Sequence, residues 1–347
     1  MATTAALVGI GSQQRGRIAG LLAAATDREQ VRPPDARSGA VFERFRVGER
    51  WYFLKRVRPE HDWVMRVTGD RDFRTAKAWN AGLMRRAEAA VVHAVLDVAV
   101  VDGELVVVMD DVGDQLVPPG DTLIAPAVHH ALLDGLAGLA ATFAGWHDVV
   151  GLVPMADRFR FFAPDHIAGE LARPGADPVL SAAAQGWALL EQRAPEVAAI
   201  VHAVHACPDA LAAALARTPS TFLHGDPKLG NLGVTADGRA ILLDWAYPGA
   251  GPATWELGWY LALNAARLPE TKEDAIDRYA AGLRCRGIVT APWFDQQLTL
   301  ALLGVTATLA WEKALGGDDE LGWWCERALS GAALLDRAQP GWRRRGR

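Results

Sequence analysis

Three oxygen-bearing side chains stand close together in the second half of the chain. Asp226 and Asn231 lie in Leu223-His224-Gly225-Asp226-Pro227-Lys228-Leu229-Gly230-Asn231, and Asp244 follows in Leu243-Asp244-Trp245. These are the residue types that phosphoryl transfer needs. One carboxylate orients the acceptor hydroxyl, while an amide oxygen and a second carboxylate hold Mg²⁺ on the nucleotide phosphates. Taken in chain order, Asp226 is the expected base and Asn231 and Asp244 the expected metal ligands. At average residue usage a His-Gly-Asp-x₄-Asn string arises by chance on the order of once in a thousand chains of this length. Short polar residues also serve turns and strand ends, but that explanation requires three separate accidents in one segment.

The elements around these residues read as three short buried strands, 221–224, 232–234 and 240–243. Asp237-Gly238 signals a two-residue hairpin loop with Ala236 facing Arg239. Followed back along the ladder, that register puts Asn231 directly opposite Asp244 on one face, with Cβ atoms roughly 4.5–5.5 Å apart. One cation would then bind both.

The 347 residues suggest two domains or one bilobal unit, with 50% of them hydrophobic and a net charge of −5. That balance leaves no footprint for nucleic acid. The N-terminal run 5–10 is too short for a signal-peptide core, and no uncharged apolar stretch reaches membrane-spanning length, so a cytoplasmic protein without a membrane partner is expected. Cys207, Cys285 and Cys325 are widely spaced and ungrouped, which points to buried reduced thiols. His129, His130, His202 and His205 lack acidic or cysteine company at metal spacing and are expected at the surface or in caps. The tail 343–347 reads as a solvated end.

Strand character fills the first half and helix nearly all of the second. Val41–Val47, a turn at Gly48-Glu49 and Arg50–Val57 form an aromatic-rich hairpin, and 105–109 makes another strand. Leu132, Leu136, Leu139, Phe143 and Trp146 recur as the stripe of a core helix. Further helical patterns cover 182–190, 197–205, 257–268, 273–284, 293–315 and 321–338, with prolines between them.

The segment 221–262, and more loosely 38–113, resembles the aminoglycoside phosphotransferase and choline kinase group, small-molecule relatives of the protein kinases. The resemblance implies an α+β, bilobal, protein-kinase-like fold. A small N-terminal antiparallel-sheet lobe, 1–110, would clamp the nucleotide, and a larger, mostly helical C-terminal lobe, 111–347, would carry the catalytic loop and substrate site. It also implies that Asp226 is the base, that Asn231 and Asp244 bind the metal, and that Lys228 sits where protein kinases place a lysine against the transferring phosphate. Lys55 matches the strand lysine that reaches the α- and β-phosphates. Ser38 and Gly39 fall in the phosphate-covering loop, and the backbone of Asp110 and Val112 in the hinge that binds the adenine edge.

Two departures stand out. The helix expected at 71–86 has no glutamate to pair with Lys55, so Asp72 or Glu88 is expected to serve, with Asp72 nearer along the chain. Glu256 stands where the group carries an aspartate. Trp311, Glu312, Trp323 and Trp324 suit sugars and amines, but tryptophans on helices belong more often to the core. The expected activity is Mg²⁺-dependent transfer of the γ-phosphoryl of ATP or GTP to a hydroxyl of a small molecule. An aminoglycoside or other antibiotic, a sugar or an amino alcohol would serve as acceptor, with antibiotic resistance as one consequence. The alternative, motivated by the missing glutamate, is a nucleotide-binding pseudokinase acting as an interaction module.

Overall fold

A computed structural model describes residues 17–33 and 39–344. Five strands, β1 (Asp27–Val31), β2 (Val41–Val47), β3 (Arg50–Val57), β4 (Val95–Val101) and β5 (Glu104–Asp110), form one antiparallel sheet in the order β1-β2-β3-β5-β4. Two-residue turns set the hairpins. Gly48 takes φ 61° between β2 and β3, and Asp102 and Gly103 take φ 51° and 74° between β4 and β5, the left-handed conformations that match the twist of the flanking strands.

The two-residue period of the strands divides this sheet into two faces. Phe45, Leu54, Val106 and Val108 pack with Ile18, Leu21 and Leu22 of the helix 17–23 into a small separate core. Leu105, Val107 and Met109 point the other way, into the main core. Lys55 follows Leu54, so it turns toward the second face, where the cleft lies.

The segment after β3 differs from the single helix expected at 71–86. It is three short helices, Trp63–Thr68, Arg74–Asn80 and Leu83–Ala87. Asp62 caps the first by accepting a hydrogen bond from the Met65 amide at 2.9 Å, and Gly82 at φ 72° breaks the second from the third. Both are strong local signals.

Beyond Asp110 the chain is helical apart from two strand pairs. β6 (Ser220–Leu223) pairs β9 (Gly249–Pro252), and β7 (Leu232–Val234) pairs β8 (Ala240–Leu242). The helix Phe294–Leu315 is long and apolar enough to cross a bilayer, but 78% of its apolar window is buried inside the protein. It packs against Pro178–Arg193, Ala253–Asn264 and Asp318–Ala338, and its all-round apolar character is that of a central core helix.

Three smaller expectations are corrected. His129 is fully buried, with Nδ1 2.7 Å from the Tyr260 hydroxyl and Nε2 2.9 Å from Glu270. Cys285 is exposed. Arg343 is held rather than free, because Nη2 donates to Asp336 at 2.8 Å; residues 345–347 lie outside the described residues.

Candidate active site

The loop that carries Asp226 is gripped by one helix, Ala253–Asn264. The Gly225 amide donates to Glu256 Oε1 at 2.8 Å, and the Trp259 indole N–H donates to Asp226 Oδ1 at 3.0 Å. Asn264 accepts from the Leu229 amide and donates to Pro227 O, at 2.8 and 3.0 Å. Three side chains of one rigid element thus fix a loop of irregular backbone. Gly225 has φ 96°, and a Cβ there would overlap the Tyr247 carbonyl oxygen, so no other residue fits.

Asp226 is further held by Asn231, whose Nδ2 donates to Asp226 Oδ2 at 3.0 Å and to its carbonyl at 3.1 Å. Lys228 Nζ lies 3.7 Å from Asp226 Oδ2, which keeps a positive charge beside that carboxylate. His224 ties this loop to the next. Its Nε2 lies 2.8 Å from Leu243 O, and its Nδ1 accepts from the Asp226 amide at 3.3 Å. Both bonds require the neutral ring with its proton on Nε2. Burial pushes the His224 pKa down, which keeps the ring neutral.

The expected register is off by one residue. Leu232 pairs Leu242 and Val234 pairs Ala240, so Asn231 faces Leu243, whose amide donates to Asn231 O at 2.8 Å. The loop has three residues, Ala236, Asp237 and Gly238, closed by the Thr235–Arg239 bond at 2.9 Å, with Gly238 at φ 85°. Asn231 and Asp244 nevertheless line one cleft. Asp244 follows the end of β8 and takes φ 60°, a left-handed conformation that redirects its side chain. For a residue that is not glycine this costs on the order of 1–3 kcal/mol, a cost that tends to gather at functional sites.

Lys55 pairs with neither carboxylate expected of it. Asp72 is 75% exposed and lies 3.2 Å from Lys77, while Glu88 lies 3.0 Å from His93. The partner of Lys55 is Asp244, with Nζ to Oδ1 at 2.6 Å. Desolvation in the cleft pushes the Asp244 carboxyl up. The Lys55 ammonium, with smaller help from Lys228, outweighs this and holds it below the usual carboxylate range. The helix Arg74–Asn80 still touches the site, because Thr75 Oγ1 donates to Trp245 O at 3.0 Å.

The cleft has a volume of about 410 Å³ and runs from the sheet to the helical part, lined by Lys55, Asp110, Val112, Asp226, Asn231 and Asp244 among others. At its sheet end the Asp110 amide is taken by Ala94 O at 2.9 Å, so Asp110 can offer only its carbonyl. The Val112 amide has no hydrogen-bond partner among the described residues. Ser38 lies outside the described residues. A Cβ on Gly39 would overlap the His61 carbonyl oxygen, so this glycine is required by close backbone packing.

The sequence profile of the phosphotransferase enzyme family matches residues 34–288. The chain belongs to that family. No curated protein matches it at a significant level. Among solved structures it is similar to the choline kinase of Streptococcus pneumoniae, with 13% identity, coverage of 94% of this chain and 99% of that one, and a TM-score of 0.48. A microcompartment-associated aminopropanol kinase gives 16%, 92%, 95% and 0.49. A spectinomycin phosphotransferase, in complex with ADP and spectinomycin, gives 12%, 92%, 94% and 0.49.

The donor set of this phosphotransferase fits a hard cation. With Asn231 Nδ2 committed to Asp226, its Oδ1 has no hydrogen-bond partner among the described residues, and Asp244 offers the oxygen that Lys55 leaves. Oxygen-only ligation with room for water and phosphate suits Mg²⁺. No group of three or more His, Cys, Asp or Glu at metal spacing occurs among the described residues.

Sequence reasoning missed Trp259 and the linking role of His224. A signal for Trp259 existed, since it stands three residues after Glu256 and therefore on the same helix face. Of the four residues singled out for the acceptor, Trp311 and Glu312 line the cleft. Trp324 is core, and Trp323 donates to Glu273 at 2.7 Å away from the cleft.

Proposed function

We propose that this enzyme moves the γ-phosphoryl group of ATP or GTP to a hydroxyl of a small molecule such as an antibiotic, a sugar or an amino alcohol. Asp226, held by Trp259 and Asn231, orients the acceptor hydroxyl and takes its proton. Lys228 and Lys55 place positive charge where phosphate oxygens gather. Asn231 and Asp244 would hold Mg²⁺, which neutralises the phosphates when bound. The carbonyl of Asp110 and the free amide of Val112 receive the purine edge.

The observation that carries this reading is the meeting of Asp226, Asn231, Asp244 and Lys55 in one cleft, from elements far apart in the chain. The absence of a helical glutamate motivates a pseudokinase reading; what supports the enzyme reading against it is that Lys55 has a carboxylate partner in Asp244. The test is Mg²⁺-dependent release of ADP or GDP with a panel of hydroxyl compounds. Asp226→Asn should lower turnover by roughly 10²–10⁴-fold, the usual worth of a positioned acid or base, while leaving nucleotide affinity in place. Turnover near that of the parent enzyme would remove Asp226 from the mechanism.

A further inference from the structure

One buried guanidinium underlies both loops of the site. Arg158, on the short helix Met155–Phe159, is fully buried. On the side of Asp244 its Nη2 donates to Tyr247 O at 2.8 Å, and its Cζ stands 4.4 Å from the centroid of the Tyr247 ring. Two glycines make room for it. A Cβ on Gly225, the residue before Asp226, would lie 2.7 Å from Arg158 Nη1, and one on Gly249 would overlap Nη2. The loop that carries Asp226 and the loop that follows Asp244 thus rest on opposite arms of one side chain. Thr308 Oγ1 donates to Arg158 O at 3.0 Å, which fixes this support to the central helix Phe294–Leu315.

The placement is costly. Arg158 Nε and Nη1 have no hydrogen-bond partner among the described residues, and neither has Glu256 Oε2, which is also buried. Burial disfavours the charged form of both groups, and the charge of each favours that of the other. Glu256 is the residue whose Oε1 takes the Gly225 amide. Its negative charge and that of Asp226 repel each other, and the Arg158 cation offsets that repulsion. Buried charge pairs add little net stability over well-packed apolar residues. Buried polar atoms left unsatisfied gather instead where function demands them.

We infer that Arg158 is a positioning residue for phosphoryl transfer, the shared support that sets the Asp226 loop and the Asp244 loop at a fixed distance from each other. This rests on the phosphotransferase reading above and adds to it a residue outside the cleft lining. Asp226 orients the acceptor while Asp244 holds the donor end, so transfer depends on the spacing between the two loops. A misplacement of about 1 Å in such a site costs about 100-fold in rate.

The test removes the fork and the charge separately. Arg158→Lys keeps a cation near Glu256 but cannot bear on both loops. It should lower kcat for Mg²⁺-dependent ADP release about 10–100-fold, with the affinity for adenosine, which reads the sheet end of the cleft, unchanged. Arg158→Met leaves Glu256 without its cation and should unfold at lower denaturant. Adding Glu256→Gln removes the remaining charge and should return stability, while kcat stays about tenfold or more below that of Glu256→Gln alone. An arginine needed only for folding would give back kcat together with stability. Hydrogen exchange read by mass spectrometry is independent of turnover: in Arg158→Lys, peptides covering 222–230 and 244–250 should both exchange faster, and those of the β2–β3 hairpin should not. If Arg158→Lys does not fold, the Arg158→Met, Glu256→Gln double variant carries the same comparisons. Parent-like kcat, an equal fall in adenosine affinity, parent-like exchange in either loop, or kcat that recovers with stability overturns the inference. If the parent protein releases no ADP with any hydroxyl compound, the phosphotransferase reading falls, and the exchange measurement still decides whether Arg158 holds the two loops.

Discussion

On the proposed function the Lys55–Asp244 pair makes nucleotide binding a competition, and Asp244→Asn should expose it. In the free protein the ammonium donates to Asp244 Oδ1 at 2.6 Å, so a triphosphate arriving without metal must draw Lys55 away from that oxygen. A hydrogen bond between charged groups contributes about 1.5–3 kcal/mol. Asp244 is 37% exposed, which favours the lower end, and 1.5 kcal/mol corresponds to roughly tenfold in affinity. Asn still tolerates the left-handed backbone that Asp244 requires, so the loop should keep its shape. Removing the carboxylate frees Lys55 for phosphate and should tighten metal-free ATP binding about tenfold. With Mg²⁺ present the same change removes the proposed metal ligand and should weaken binding by about tenfold or more. Titration calorimetry in chelator and in excess Mg²⁺ measures both limbs. If metal-free affinity falls along with the Mg²⁺-dependent affinity, the competition does not exist.

Trp259→Phe keeps the ring but removes the donor to Asp226 Oδ1. It should cut kcat about 10–100-fold with nucleotide affinity unchanged; an unaltered kcat would leave Trp259 a packing residue only. Burial raises Glu256 to about 7 against the opposing pull of Arg158 and the Gly225 amide. Its folded pKa exceeds its unfolded value, so its contribution to stability is full below about pH 4.5 and is lost as pH rises toward 7, by about 3 kcal/mol at most. Denaturant unfolding at pH 5 and pH 8 should show this loss in the parent protein and not in Glu256→Gln, and equal pH dependence in the two would refute it. Gly225→Ala meets the Tyr247 carbonyl at a positive φ, which should displace the loop, lower activity more than 100-fold and lower the melting temperature; unaltered kinetics would mean the loop is more pliable than its geometry implies.

Much of this was legible because the signals were local. The β2–β3 hairpin falls where its alternating aromatics and Gly48-Glu49 put it, and the helices Pro178–Arg193, Pro195–Ala206, Lys272–Cys285, Phe294–Leu315 and Asp318–Ala338 follow their apolar period, whereas the short helix Pro208–Leu215 was not expected. β1 escaped notice because its residues, Asp27 to Gln30, are exposed and polar at a sheet edge. The slip in the β7–β8 register came from reading Asp237-Gly238 as a two-residue loop. The same dipeptide also closes a three-residue loop when glycine takes the left-handed position, and the two differ by one residue. The partner of Lys55 lies 189 residues away, beyond any periodicity. Trp259 is 33 residues from Asp226, and only the shared helix face with Glu256 hinted at it.

The grip of the helix Ala253–Asn264 on the loop 225–229 has a consequence for how such an enzyme changes over generations. The loop that carries Asp226 is fastened to one element, while the far end of the cleft is lined from the helix Trp63–Thr68, from Phe161 and Phe162, and from the far half of the helix Phe294–Leu315. Substitutions at Trp63, Phe161, Phe162 or Trp311 leave the three fastening points Glu256, Trp259 and Asn264 in place, so the far end of the cleft can change while the loop keeps its hold. Chemistry and taste in substrate are inherited separately.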